Sequence, residues 1–149
     1  MRALIQRVAK AEVRVGEAGD SAGAIGPGAV VLLGVAESDT PETAERLARK
    51  TAKLRIFPNG EKEIDRAADP AGGEDFLVVS QFTLYADTKK GNRPSFLEAA
   101  GPEKAEALYE RFVATLRAEG FGVETGRFRT HMVVTLANDG PVTILLEAE

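Results

Sequence analysis

Ala29-Val30-Val31-Leu32-Leu33-Gly34-Val35 is an unbroken apolar run, far shorter than the ~20 residues of a membrane span. A strand with one wet face would alternate polar and apolar side chains; this one does not, so both of its faces need cover. Phe76-Leu77-Val78-Val79 repeats the pattern and runs directly into Ser80-Gln81-Phe82-Thr83-Leu84-Tyr85. Two such strands, separated by a helical stretch, set the class as mixed α and β.

Outward from these runs, Thr40 is placed as an N-cap, with Pro41 at the first helical position and Glu42 in the first turn. Ala44, Leu47, Ala48 and Thr51 share one stripe, which predicts a helix to about Arg55, stopped by Pro58-Asn59-Gly60. A second helix begins near Pro102, carries Ala105, Leu108, Tyr109, Phe112, Val113 and Leu116 on one face, and stops at Gly120.

Period-2 alternation predicts strands over 2–8 and 12–15, and three more around Phe121 to Thr125, Met132 to Leu136 and Val142 to Leu146. Residues 16–28, with five glycines and a proline, read as loop. Residues 61–74 read as an irregular excursion and 86–96 as a polar, basic surface loop. The expected fold is α/β: one domain over 1–149, a curved, mostly antiparallel or mixed, barrel-like sheet of six or seven strands, with two main helices. Two helices cannot cover every apolar face, and a dimer interface would supply the remainder.

Composition narrows the chemistry. The chain of 149 residues has no cysteine and one histidine, His131, so thiolate and His-rich metal sites and a Cys nucleophile are excluded. No Asp/Glu cluster shows ligand-like spacing, and neither metal nor cofactor is expected. The start, Met1-Arg2-Ala3-Leu4-Ile5-Gln6-Arg7, is not a signal peptide, which makes the cytoplasm the default location and a membrane partner unexpected. A net charge of −4 argues against a wholly basic nucleic-acid surface and leaves room for a local patch.

Four segments carry candidate chemistry. Ser80, Gln81, Phe82 and Thr83 end a buried strand, where hydroxyls and backbone N–H groups would line a pocket and hold an oxyanion, or simply terminate the strand. Asn138-Asp139-Gly140-Pro141 is a hairpin-turn signal, and its X-Pro bond can also be cis, making a rigid steric gate without side chains. Lys89, Lys90 and Arg93 form a cationic loop suited either to phosphates or to water. His131 suggests a triad with Ser80 or Thr83, but no Gly-x-Ser-x-Gly elbow surrounds either hydroxyl, so triad catalysis is set aside.

In order along the chain, Met1-Arg2-Ala3-Leu4-Ile5-Gln6-Arg7-Val8, Val31-Leu32-Leu33-Gly34-Val35, Leu54-Arg55-Ile56-Phe57, Val78-Val79-Ser80-Gln81-Phe82-Thr83-Leu84-Tyr85-Ala86-Asp87, Lys90-Gly91-Asn92-Arg93-Pro94-Ser95-Phe96 and Asn138-Asp139-Gly140-Pro141-Val142-Thr143 resemble the D-aminoacyl-tRNA deacylases, also known as D-tyrosyl-tRNA(Tyr) deacylases. The resemblance spans almost the whole chain. It implies a cytoplasmic homodimer that hydrolyses D-aminoacyl-tRNA, and glycyl-tRNA mischarged on tRNA-Ala, acting on the 3′ end without metal.

It also implies a cis Gly140-Pro141 bond, inserted into the partner subunit's active site to reject L side chains, with Arg7 holding that loop. The mechanism it implies is substrate-assisted: the vicinal ribose hydroxyl activates or positions water, backbone N–H groups near Phe82 and Thr83 stabilise the oxyanion, and the Thr83 side chain positions and does not attack. Phe128, Met132 and Asn138 complete the substrate-binding set. Two departures stand out. Arg129-Thr130-His131 occupies the place of a small Gly-Ala-type pair, narrowing the pocket or facing outward, and Glu63-Ile64-Asp65-Arg66-Ala67 differs from the usual polar signature.

Two other classes fit the residues. A non-catalytic tRNA-binding dimer would use the basic loop, and a small-molecule esterase would use Ser80 or Thr83 as nucleophile.

Overall fold

The first fourteen residues after Met1 make a single strand, β1 (Arg2–Val15), in the computed structural model, which describes residues 1–17 and 19–149. The two alternating stretches expected there are one element, because β1 is the central strand and has partners along its whole length. Its first half lies antiparallel to β3 (Gly28–Gly34), its second half to β2 (Ser21–Ile25), and its other edge to β8 (Met132–Glu147). β6 (Asp75–Ser80) runs parallel to β3, and β7 (Val123–Thr125) parallel to β6. The path β2-β1-β3-β6-β7 curls until its ends approach: a Cβ on Gly23 of β2 would stand 2.9 Å from the Thr125 carbonyl of β7. This is the expected barrel-like mixed sheet.

The curl settles how the apolar strands are covered. Ala29, Val31, Leu33, Phe76 and Val78 face the helices, in one core with Leu47, Phe112 and Leu116. Val30, Leu77 and Val79 face inward, in a second core with Val8, Val13 and Ile25. Val30 and Leu77 are fully buried within one chain, so the second face is covered by the sheet itself and needs no second copy. Helix α1 (Pro41–Ala52) has a capping box in which the Thr40 hydroxyl accepts from the Thr43 N–H, and it buries Ala44, Leu47 and Ala48. It ends three residues before Arg55. Helix α2 (Pro102–Ala118) packs against it and buries Leu108, Tyr109, Phe112 and Leu116. Gly120 follows at φ 98°.

Three expectations fail. The glycine-rich segment 16–28 is not all loop, since it holds β2, whose pairing with β1 outweighs weak local propensity. The excursion 61–74 contains β5 (Lys62–Arg66), paired with β4 (Phe57–Asn59) in a hairpin, then a 3-10 turn over Pro70–Gly72. Asn138-Asp139-Gly140-Pro141 is not a hairpin turn. It is an excursion inside β8: Asn138 pairs with Val8 and Thr143 with Gln6, leaving 139–142 opposite Arg7 alone. The Gly140-Pro141 bond is cis. Two strands therefore finish the chain where three were expected. Among the described residues, no helix is long and apolar enough to cross a membrane.

Candidate functional site

β6 delivers Ser80 to the rim of the sheet, and the ladder reaches one residue further, where the Gln81 N–H donates to the Leu33 carbonyl at 2.8 Å. The chain then turns into a 3-10 turn, Phe82–Tyr85, seated on Gly34 of β3. Glycine makes that approach easy. A Cβ there would lie 3.1 Å from both the Gln81 carbonyl and the Leu84 Cβ, and 3.3 Å from the Tyr85 ring. The Leu84 N–H closes on the Gln81 carbonyl and the Ala86 N–H on that of Thr83. The Phe82 and Thr83 N–H groups have no protein acceptor among the described residues, as expected for the first amides of a helical turn.

Ser80, Gln81 and Phe82 form one wall of a cleft of about 720 Å³, a volume typical of small-molecule sites. Phe128, Met132 and Val134 line the same cleft, as does the start of α2 (Pro102, Ala105, Tyr109). The Phe82 ring, 58% exposed, meets Phe96 edge-on at 4.9 Å between centroids. Tyr109 donates its hydroxyl to the Val78 carbonyl at 2.6 Å, and its ring lies 6.1 Å from Phe128. Burial raises the Tyr109 phenol far above its ordinary range, so it stays a neutral donor.

The structure thus gathers Ser80, Gln81, Phe82, Phe128 and Met132. Thr83 sits in the same turn but does not line the cleft; its hydroxyl accepts a hydrogen bond from the Gln81 side-chain amide. Arg129, Thr130 and His131 do line it, so they border the cleft. Arg129 adopts φ 59°, the left-handed region, and Thr130 fixes this corner by donating to the Arg127 carbonyl at 2.8 Å. Among the described residues, the His131 side chain makes no hydrogen bond to Ser80 or Thr83. Lys89, Lys90 and Arg93 are exposed on a loop pinched by reciprocal backbone bonds between Asp87 and Ser95. Phe96, one residue beyond that pinch, lines the cleft; Lys89, Lys90 and Arg93 do not.

Arg7, Asn138, Gly140 and Pro141 form a separate group outside this cleft. Arg7 is buried and donates to the carbonyls of Asp139 (2.9 Å), Ile56 (2.7 Å) and Glu63 (2.8 Å). The Asn138 side chain accepts from the Val142 N–H and donates to the Thr143 hydroxyl, both at 2.9 Å, which bridges the neck of the excursion.

Phe96, Ala99, Ala100 and Tyr109 were not among the sequence candidates for the site. Tyr109 lies on the apolar stripe of α2 and gives no separate signal, because one side chain serves both core and cleft wall. The small residues Ala99 and Ala100 leave room, which no local pattern advertises.

A cleft bordered by a turn with two free backbone N–H groups, on a barrel-like α/β scaffold, defines the candidate active site. The chain belongs to the D-Tyr-tRNA(Tyr) deacylase family, whose sequence model matches residues 4–147. The D-aminoacyl-tRNA deacylase of Symbiobacterium thermophilum is 56% identical across all of this chain and 97% of its own length. That of Thermotoga petrophila is 53% identical over 99% of this chain and 97% of its own length.

Among solved structures, a c-Myc DNA unwinding element binding protein superimposes with a TM-score of 0.89 at 39% identity, covering 100% of this chain and 99% of that one. A probable eukaryotic D-amino acid tRNA deacylase gives 0.81 at 20% identity, with 97% of each chain covered, a likeness of fold alone.

Proposed function

We propose that this enzyme hydrolyses the ester joining a D-amino acid to the 3′ end of tRNA, and glycine mischarged on tRNA-Ala. The observation that carries the reading is the pair of unpartnered amides, Phe82 on the cleft wall and Thr83 next to it in the same turn, beside a cleft with no nucleophile–base contact among the described residues. Family membership supplies the substrate class. Water adds to the ester carbonyl carbon, and the carbonyl oxygen takes up the electron pair. The two amides stabilise that oxygen, each such donor being worth roughly 3 kcal/mol in a water-poor site. The tetrahedral centre then expels the ribose oxygen, which leaves with a proton as the tRNA hydroxyl. The vicinal ribose hydroxyl positions the water, so the substrate supplies a group that the chain lacks.

Ser80 and Gln81 shape the wall beside the amides, and Phe128 and Met132 line the same cleft. Chirality is read by Gly140-Pro141 of a second copy, inserted at the cleft. Main-chain atoms cannot rotate away, so an L side chain is excluded by collision and a D side chain or hydrogen is admitted. In one chain this dipeptide lies outside the cleft, which is the arrangement a homodimer requires if the gate acts across subunits. Arg7 and Asn138 set its shape, while Lys89, Lys90 and Arg93 meet backbone phosphates. The enzyme would work in the cytoplasm, where charged tRNA is, and no metal enters the scheme.

Single-turnover release of labelled amino acid from D- and L-tyrosyl-tRNA, with glycyl-tRNA alongside, tests this. Loss of the D and glycyl esters with the L ester intact is the expected result, and Thr83→Ala should keep its rate within about fivefold because its side chain only positions. Equal hydrolysis of D and L esters removes the gate. Tight tRNA binding without turnover converts the reading to a non-catalytic tRNA-binding dimer.

A further inference from the structure

The turn that carries Phe82 and Thr83 has a front, the cleft wall, and a back, and the back is held by a residue outside the site described above. Arg2, at the start of β1, donates from Nη1 to the Leu84 carbonyl at 2.8 Å. The same guanidinium lies 4.5 Å from the centroid of the Tyr85 ring, within cation–π range. Its Nε binds Glu147 of β8 at 2.7 Å, so the group is itself aimed by a third strand. Tyr85 is buried, and Gly34 lets the turn sit directly on β3. The last two residues of the 3-10 turn are therefore clamped between the floor of β3 and a planar cation.

We propose that Arg2 is a positioning residue of the active site: by fixing Leu84 and Tyr85 it sets the direction in which the Phe82 and Thr83 amides point. The proposal rests on the function given above. The free donors, Phe82 and Thr83, directly precede the clamped Leu84 and Tyr85 in a turn of four residues, so a tilt of one half is carried into the other. Lysine supplies the charge and three donors on a single nitrogen, but it has no planar group that can bond the Leu84 carbonyl, lie flat on the Tyr85 ring and be held from a separate nitrogen by Glu147.

The test compares wild type, Arg2→Gln, Arg2→Lys and Glu147→Gln in single-turnover hydrolysis of D-tyrosyl-tRNA, well below each thermal midpoint, with the Phe82 and Thr83 amide resonances read by ¹⁵N NMR. Arg2→Gln is expected to lose on the order of tenfold or more in the chemical step, with substrate affinity within about twofold, and to shift both amides. Arg2→Lys should recover part of the rate. Glu147→Gln should stay close to wild type, since the amide oxygen of Gln can still accept from the Arg2 Nε and keep the guanidinium aimed.

A purely structural role would lower the thermal midpoint and leave the chemical step and the amide shifts unchanged, and that result overturns the proposal. Should Arg2→Gln fail to fold, Arg2→Lys against wild type still decides through the same two readouts. If wild type does not hydrolyse the ester at all, the assigned function fails, and the amide shifts alone then judge Arg2.

Discussion

Arg7 and Asp139 are 132 residues apart, yet the Arg7 Nε donates to the Asp139 carbonyl at 2.9 Å, from a guanidinium that is 3% exposed. The same side chain satisfies the Ile56 and Glu63 carbonyls, so one buried cation ties the β4–β5 hairpin to the excursion of β8. Its carboxylate neighbour is weak. Glu63 approaches to 3.6 Å and is 84% exposed. The charge is held by three carbonyl dipoles more than by an ion pair.

Arg7→Met should therefore cost about 3–5 kcal/mol, because three carbonyls lose their donor at once. Glu63→Gln should cost less than about 0.5 kcal/mol, as exposed pairs do. Urea unfolding with an unchanged slope measures both. An Arg7→Met loss below about 1 kcal/mol would mean water replaces the guanidinium, and the tie between hairpin and excursion would be unsupported.

The two tyrosines make the alkaline limb of stability predictable. Tyr85 is pushed up to about 12, chiefly by burial and then by the charge of Asp39, with Arg2 opposing. Tyr109 is raised further, by burial. An unfolded phenol titrates near about 10. The folded state thus favours the protonated form, so this stability is fully present below about pH 10 and is lost as pH rises toward 12. Native protein should show a flat phenolate absorbance at pH 10 to 11, with ionisation arriving together with unfolding. Reversible titration of either tyrosine near pH 10, with circular dichroism unchanged, would contradict the buried geometry. Tyr109→Phe should lower stability by only about 0.5–1.5 kcal/mol, because the Val78 carbonyl loses one of two donors and keeps the Gly126 N–H at 3.2 Å.

How much of this was legible follows from which forces were local. β3, β6 and both helices declare themselves through apolar runs, the Thr40-Pro41 cap and the α2 stripe, all within a dozen residues. β2 does not, because Gly23 is a strand residue only by virtue of its pairing with Val13 of β1. The turn signal at 138–141 misleads for the same reason: pairing with β1 on both sides of the excursion keeps β8 one strand, and that pairing spans more than a hundred residues. At the site, Ser80 to Phe82, Phe128 and Met132 were readable from the sequence, and all of them meet. The α2 wall was not, since it depends on how a helix docks over the cleft.

Gly140 links the fold to selectivity. Its φ of 135° is one that L side chains rarely adopt, and a Cβ added there would meet the Val142 Cγ2 at 2.7 Å and the Arg7 Nη2 at 3.1 Å. Val142 is buried and Arg7 is bound to three carbonyls, so neither neighbour can retreat cheaply. Gly140→Ala is expected to cost about 1–3 kcal/mol and to push the excursion out of register with Arg7. If Gly140-Pro141 is the gate proposed above, the consequence is asymmetric. Hydrolysis of the D-tyrosyl ester should change by less than about tenfold, whereas the L ester, protected in the wild type, should begin to be cleaved as the collision is relieved. The measurement is the ratio of D to L single-turnover rates on matched tyrosyl-tRNA. A stability loss without any change in that ratio would leave Gly140 as a packing residue and move the source of chirality to the cleft wall at Arg129–His131.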